Sequence, residues 1–516
     1  MPTMYQKTWK DYKSPLRVVT TSLLKSRARL ATKCEKAHNK YMESEKGRRE
    51  SEAIIRQQAE RIHELEEKVR RLEAEGCRTK TIMEDDPPIG THGYGCRMVA
   101  LAVEIAKVVG LRASERVLKV ICDFLGWDQK VPDWTTIRLW LLRLGVATLR
   151  APFERADDWI WMLDHSVQIG PEKTLAVLGV RASKLPPPGT PLKHEDMRLL
   201  DVRTDTGWNK EKMKAVYAEL AEQYGPPRAV LSDGAAELRE GICVLKTRRS
   251  DVISLQDFKH KAANIFKALF GKDERFQDFL SRLGRTRSAI QQTELAHLVP
   301  PSMKVKSRFM NLKPRLRWAQ AMLWLLDHPE AESRRWMTNQ RLEEKLGWLR
   351  AFAEDIAAWS ECENVIETGV TFINEQGLSC GAAERLGELF SPIARCQPSR
   401  CMADRLVELV SDAESHLENE ERLPMSTEIL ESSFGLFKQL EGQHAKSGFT
   451  SLIAAFGSLL QTATPDRVGQ AFLSTSVADV KRWTKSNLGE TLAIKRNATY
   501  GEFRKASGAN ISPASG

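Results

Sequence analysis

The chain is 516 residues long, 42% hydrophobic and 28% charged, with 78 Lys+Arg against 68 Asp+Glu for a net charge of +10. At roughly 150 residues per domain that length suggests three or four units and excludes a miniprotein, and the apolar content excludes a wholly disordered chain. No stretch reaches the roughly 18–20 uninterrupted apolar residues of a membrane span, and MPTMYQKTWKDYKS at the start has no apolar signal core, so a soluble intracellular protein is expected. Nine cysteines without a paired metal spacing argue against disulfides and zinc, Cys396 and Cys401 included. The positive balance suits a polyanionic partner.

In chain order, residues 1–33 form a basic arm, with Lys7, Lys10, Lys13, Arg17, Lys25, Arg27, Arg29 and Lys33 against Asp11. A proline-free stretch with alternating charges predicts a long helix over 22–76. Ile55, Ile62, Leu65, Val69 and Leu72 recur at steps near 3.5, as in a coiled coil, although Gln58 and Gly47 fit a single solvated helix equally well. A linker over 77–95 contains EDDPPIGTHGYG. Three short helices then fill 96–150: Cys96 to Val109, Ser114 (as N-cap) to Leu125, and WTTIRLWLLRLG ending at Gly145. The third puts Ile137, Trp140, Leu141 and Leu144 on one stripe and leaves Thr135, Thr136, Arg138 and Arg143 off it, the pattern of a helix-turn-helix recognition helix and also of a plain three-helix bundle.

From Asp158 the period shortens. WIWMLD, KTLAVLGV and MRLLDV read as three strands, followed by a helix over 209–224, a strand Ala229 to Ser232 delivering Asp233, a helix near 235–245, a strand from Val252, and the helix FKHKAANIFKALF. The order β-β-β-α-β-α-β-α over 156–272 resembles an RNase H-like α/β core with a mixed five-stranded sheet. Residues 273–423 read as helix after helix and hold Trp318, Trp324, Trp336, Trp348 and Trp359. Their basic run is Lys304, Lys306, Arg308, Lys313, Arg315 and Arg317. The core resumes over 424–465 with a capped helix from Ser426 to Gly442 and another from Phe449 to Leu460, and 466–516 ends in a polar tail expected to be disordered.

Phosphodiester chemistry with two hard Mg²⁺ ions, roughly 3.5–4 Å apart, needs converging carboxylates. Asp164 and Asp233 both end strands, where strand order can hold them close, although an acid at a strand end is more often only a turn residue. LDHSVQIG around Asp164, VLSDGAAEL around Asp233 and STEILESSFGLFK around Glu431 are similar to the three catalytic blocks of DDE-type transposases of bacterial insertion sequences, in the retroviral-integrase superfamily. The resemblance implies that Asp164, Asp233 and Glu431 hold two Mg²⁺ or Mn²⁺. It also implies that Lys438, seven positions after Glu431, holds DNA phosphate; Glu428, the alternative third acid, has Gly435 at that spacing.

Asp257 and His260 fit the acid-and-histidine pair that follows the fifth strand in relatives with a helical insertion, and His165 lies beside the first acid. In such relatives the insertion contacts transposon-end DNA, a role suited to the basic run with Trp318, while Pro424 and Thr427 depart from one subgroup's Tyr and Arg. The resemblance further implies double-stranded DNA partners (terminal inverted repeats and target), a homodimer or higher oligomer on DNA, and a nucleoid-associated bacterial enzyme. A metal-dependent nuclease that does not transpose and an inert DNA-binding descendant are the rival readings. The tryptophans also suit plain core anchors.

Overall fold

The computed structural model describes residues 16–74, 86–90, 92–169, 172–302, 312–332, 336–442, 451–488 and 492–506. It divides into two compact units, Met1–Asp85 and Asp86–Gly516. The first contains one helix, α1 (Leu16–Ala74), whose 59 residues at ~1.5 Å each span about 90 Å. It starts earlier than residue 22 because no glycine or proline interrupts the basic stretch after Pro15. Arg48 bridges Glu45 and Glu52 one turn to either side, and Arg61 reaches Glu64 at 2.8 Å. Ile55 and Ile62, both on the predicted seam, lie exposed along it. The first 15 residues of the basic arm lie outside the described residues.

The second unit begins with α2 (Cys96–Val109), α3 (Leu111–Leu125) and α4 (Trp134–Arg150). Ser114 does not cap α3: it lies one turn inside the helix, where its hydroxyl donates to the Leu111 carbonyl at 2.6 Å. The next elements are β1 (Trp159–Ile169), β2 (Glu172–Arg181), β3 (Arg198–Thr206), α5 (Lys210–Tyr224), β4 (Ala229–Ser232), α6 (Ala236–Gly241), α7 (Cys243–Lys246), β5 (Ile253–Gln256) and α8 (Phe258–Phe270). The helix expected near 235–245 is thus two short ones. The strands form one sheet in the order β3-β2-β1-β4-β5, with β1 antiparallel to β2, β2 antiparallel to β3, and β4 parallel to both β1 and β5. That mixed arrangement is consistent with an RNase H-like core. On one face Trp159, Trp161 and Leu163 of β1 pack with Val177, Leu200 and the α5 side chains Met213, Tyr217, Leu220 and Tyr224.

Helices α9 (Glu274–Ile290), α10 (Lys313–Asp327), α11 (Asn339–Leu346), α12 (Ala353–Gln376), α13 (Ala382–Phe390) and α14 (Gln397–Glu414) fill the region expected to be an insertion. A short antiparallel pair, β6 (Leu378–Ser379) with β7 (Arg422–Leu423), escaped the sequence reading because two residues carry no period. The region is seated on α8 by α12 and α14. Phe270, Phe276 and Phe279 pack around Trp359, which is 2% exposed and a core anchor. Arg228, 5% exposed, fixes where the chain returns to the sheet: its guanidinium donates to both Glu421 carboxylate oxygens at 2.7 Å and to the carbonyls of Asp251 and His416. The return leads into α15 (Glu428–Gly442), then a 3₁₀ turn Ser451–Ala455, α16 (Phe456–Leu459), α17 (Pro465–Ser474), α18 (Val477–Leu488) and α19 (Leu492–Ala506). Within the span expected as one helix over 449–460, residues 451–459 are therefore a 3₁₀ turn plus one α-turn, and 449 and 450 lie outside the described residues.

A further difference from expectation concerns α4. Its three-helix group does not stand apart, because α4 packs against the Ser451–Ala455 turn, α16, α17 and α18 as well as α2 and α3. It continues through Gly145 to Arg150, since Gly145 is no terminator but the point of closest helix crossing, where a Cβ would meet the Ala454 carbonyl. Gly145→Ala gains up to about 1 kcal/mol of helix propensity and loses more to a backbone clash that no rotamer relieves, so a net loss of about 1–2 kcal/mol is expected in urea unfolding. An unchanged or higher midpoint would show that the crossing is looser.

Candidate active site

Parallel pairing of β1 with β4 puts Leu163 opposite Ser232, so the next residues, Asp164 and Asp233, stand side by side; Asp233 follows the end of β4, whereas Asp164 does not end its strand as expected but lies inside β1, which runs on to Ile169 paired with β2. Asp233 sits in a tight turn: its Oδ1 accepts from the Ala235 amide at 2.8 Å, and Gly234 takes φ +85°, with the Gln256 side chain where a Cβ would be. Burial, the nearby Asp233 charge and the more distant Glu431 push the Asp164 carboxyl up to about 7, against the pull of His260.

Glu431 comes from the first turn of α15. Its carboxylate lies 3.1 Å from His260 Nε2 and 3.4 Å from Lys259 Nζ, both on α8. The His260 bond, and then the Lys259 charge, hold Glu431 below the usual carboxylate range although burial opposes this. Burial also works against the charge on His260, yet Glu431 and Asp257 keep its imidazole above the ordinary value. Glu428 faces away from this meeting point, accepting from Lys259 Nζ at 2.8 Å and from Asn374 Nδ2 of α12 at 2.6 Å. The geometry thus separates the two acids of the α15 first turn: Glu431 shares the electrostatic cluster of Asp164, and Glu428 links α8 to the inserted helices.

Asp257 is 1% exposed and fully used. Oδ1 accepts from the His260 amide at 2.7 Å and caps α8, while Oδ2 accepts from the Thr427 amide at 2.6 Å and from the Thr427 hydroxyl at 2.8 Å. Phe258 N donates to the Met425 carbonyl at 3.0 Å beside it. One buried carboxylate therefore sets the start of α8 against the start of α15 and brings His260 to Glu431.

Other sequence candidates land elsewhere. His165 follows the core side chains of β1, tilted on Trp208 with ring centroids 5.3 Å apart and 3.8 Å from Glu237, so alternation puts it on the sheet face opposite Asp164; burial lowers its basicity. Lys438 is exposed, two turns beyond Glu431. Thr135 and Thr136 bond through amides and hydroxyls to the N-cap Asp133, and Arg138 donates to Ser451 Oγ at 2.5 Å. Arg143 is 5% exposed, donates to the carbonyls of Thr475 and Phe472 and touches His92, so its guanidinium is directed into the fold. Lys304, Lys306 and Arg308 lie outside the described residues. In α10, Lys313 pairs with Glu367, Arg315 is buried, Arg317 is exposed and Trp318 Nε1 donates to the Leu298 carbonyl at 2.8 Å. Sequence reasoning missed Lys259, Asn374 and Thr427. Lys259 stands between Asp257 and His260 in the sequence, but its partners, Glu428 and Glu431, are about 170 positions away.

The two aspartates suit a divalent cation, being hard oxygen donors side by side, and burial together with the Asp233 charge raises the Asp164 carboxyl to about 7. Glu431 is engaged with Lys259 and His260, and among the described residues no three histidine, cysteine or carboxylate side chains close into a metal-ligating group.

No family model matches the chain, and no curated protein matches it. Among solved structures, a Drosophila P element transposase strand transfer complex aligns over 73% of this chain and 93% of that chain at 10% identity, with a TM-score of 0.37. A likeness that distant leaves the reading of the site to its own residues.

Two outcomes test the site. With its folded pKa raised, Asp164 favours the native state at low pH, and that advantage is lost as pH rises from about 4 through about 7. Without divalent ions, Asp164→Asn should therefore melt above wild type at pH 8, with the gap closing towards pH 4; no gain at pH 8 would show the carboxylate to be unstrained. Asp257→Asn, which replaces a charged acceptor by an amide beside the Thr427 donors, should lose about 2 kcal/mol in urea unfolding. A loss below about 0.5 kcal/mol would remove Asp257 as the staple.

Proposed function

We propose that this protein is a DDE-type transposase, which cleaves DNA at the ends of a mobile element and joins the freed 3′-hydroxyls to target DNA. The observation that carries the reading is the side-by-side placement of Asp164 in one strand and Asp233 just after the adjacent parallel strand, with Glu431, 198 residues after Asp233, entering their field from the first turn of a helix. Asp164 and Asp233 would hold Mg²⁺ or Mn²⁺, with Glu431 as third ligand. When bound, such ions neutralise charge at the scissile phosphate and acidify the attacking water or 3′-hydroxyl.

The chain's own contribution is positional. Strand pairing fixes the aspartates, Asp257 fixes the first turn of α15, and Lys259 with His260 holds the Glu431 carboxylate on the α8 side. Direct displacement at phosphorus calls for no covalent protein intermediate. Exposed Lys438 and Arg317 are available to backbone phosphates, and pairing of two ends calls for at least two copies.

A strand-transfer assay tests this, using purified protein, Mg²⁺ or Mn²⁺, labelled DNA carrying the repeats that flank its own locus, and a plasmid target. Joined product is expected from wild type and should fall at least about 100-fold in Asp233→Asn and Glu431→Gln, with end binding retained. Cleavage without joining would replace the reading with a nuclease. Binding without cleavage under either ion would replace it with an inert DNA-binding descendant.

A further inference from the structure

Away from the carboxylates, a cleft of about 500 Å³ opens between the C-terminal end of α4, the α16 and α17 region, and the start of β3. Among the described residues three arginines line it, Arg150, Arg198 and Arg467, and no Asp or Glu does. Arg150 is committed, pairing with Asp479 at 2.8 Å. Lys107, behind the cleft, is likewise spent on Glu104 at 2.6 Å and on the Gln461 carbonyl at 2.8 Å. Arg198 and Arg467 differ: among the described residues neither makes an ion pair, and the one side-chain bond of Arg467 goes to the neutral Thr462 carbonyl at 3.2 Å. Burial, and after it the like charge of Arg198, press the Arg467 guanidinium below its usual value, which places the two cations within each other's field.

A planar guanidinium matches the oxygens of a phosphate, and two converging on one cleft without an internal acid leave that anion position to a ligand. The volume falls within the roughly 300–1,000 Å³ of small-ligand sites and exceeds what a bare ion fills. Strand register places the cleft outside the carboxylate site. Arg198 pairs with Gly179 and Gly179 with Trp161, three residues before Asp164, so two strand spacings and three residue rises put Arg198 about 14 Å from Asp164 along the sheet.

We propose that the Arg198–Arg467 cleft binds a phosphate ester, with the two guanidiniums holding the phosphate and Thr462 and Gln470 supplying polar contacts at the wall. The ester can arrive as a DNA backbone phosphate or as a free nucleotide-like molecule. The test separates these sources and does not depend on cleavage or joining. The full chain and an Arg198→Gln/Arg467→Gln variant are titrated with pyrophosphate by calorimetry, and with a labelled DNA duplex by anisotropy across a salt series.

If the backbone is the ligand, the slope of log K against log salt should fall by about 1.8 in the variant, two phosphate contacts at about 0.9 each, with no saturable pyrophosphate binding. If a free ester is the ligand, wild type should bind pyrophosphate saturably, the variant should lose it at least tenfold, and the duplex slope should not move. Unchanged behaviour in both arms overturns the proposal. A double lysine variant separates charge from folding: it should keep most of the binding, whereas equal loss with lysine and glutamine together with a lowered Tm would assign the two arginines to the fold alone.

Discussion

The buried carboxylate of Asp257 is the constraint on which the candidate site depends. It accepts three hydrogen bonds, one from its own helix and two from Thr427, which lies 170 positions away. Charge-assisted bonds of this kind are worth roughly 1.5–3 kcal/mol each where solvent is excluded. Because both helix starts are referred to one side chain, His260 and Glu431 meet without depending on the precise path of the helices inserted between them. Strand pairing does the equivalent for Asp164 and Asp233. The cluster is thus assembled by two independent devices, a parallel ladder and a shared cap.

Much of this was legible in the sequence because its signals are local. The strand that delivers Asp233, Ala229–Ser232, and the helix Phe258–Phe270 have the boundaries that composition and punctuation imply. Both follow from β-rich or 3.6-periodic runs ended by Asp or Gly. The reading of Gly145 failed because a glycine that ends a helix and one that admits a neighbouring backbone look identical in one dimension. Arg143 is hidden for a related reason: its place off the apolar stripe of one helix fits a DNA-reading face and a plain bundle alike, and the carbonyls that bury it, those of Phe472 and Thr475, lie more than 300 residues downstream. The choice of Glu431 over Glu428 was available from spacing, but the contacts that set the two apart, with His260 and Asn374, were not.

The same burial alters how residues 96–150 are to be understood. A helix whose middle is covered on several sides serves as an axle for the C-terminal helices, and Arg143 fastens it by satisfying carbonyls at the end of α17. The segment before the sheet and the segment after α15 therefore form one helical layer built from both ends of the second unit. The cleft between Arg198 and Arg467 lies where that layer meets the sheet edge.

The long excursion between Asp233 and Glu431 also governs the order in which the chain can fold. Closing a flexible loop of 170 residues between Asp257 and Thr427 costs about 4.5 kcal/mol in chain entropy, comparable with the bonds that the closure gains. Free closure would therefore be close to balanced. The inserted helices shorten that search once α12 and α14 have docked on α8 and Arg228 has captured Glu421, because the return strand then arrives beside Asp257 already oriented. Loop closure on this scale is accordingly expected to bring Glu431 to the aspartates late in folding, so that a chain stalled before that step would carry a finished sheet and no third carboxylate.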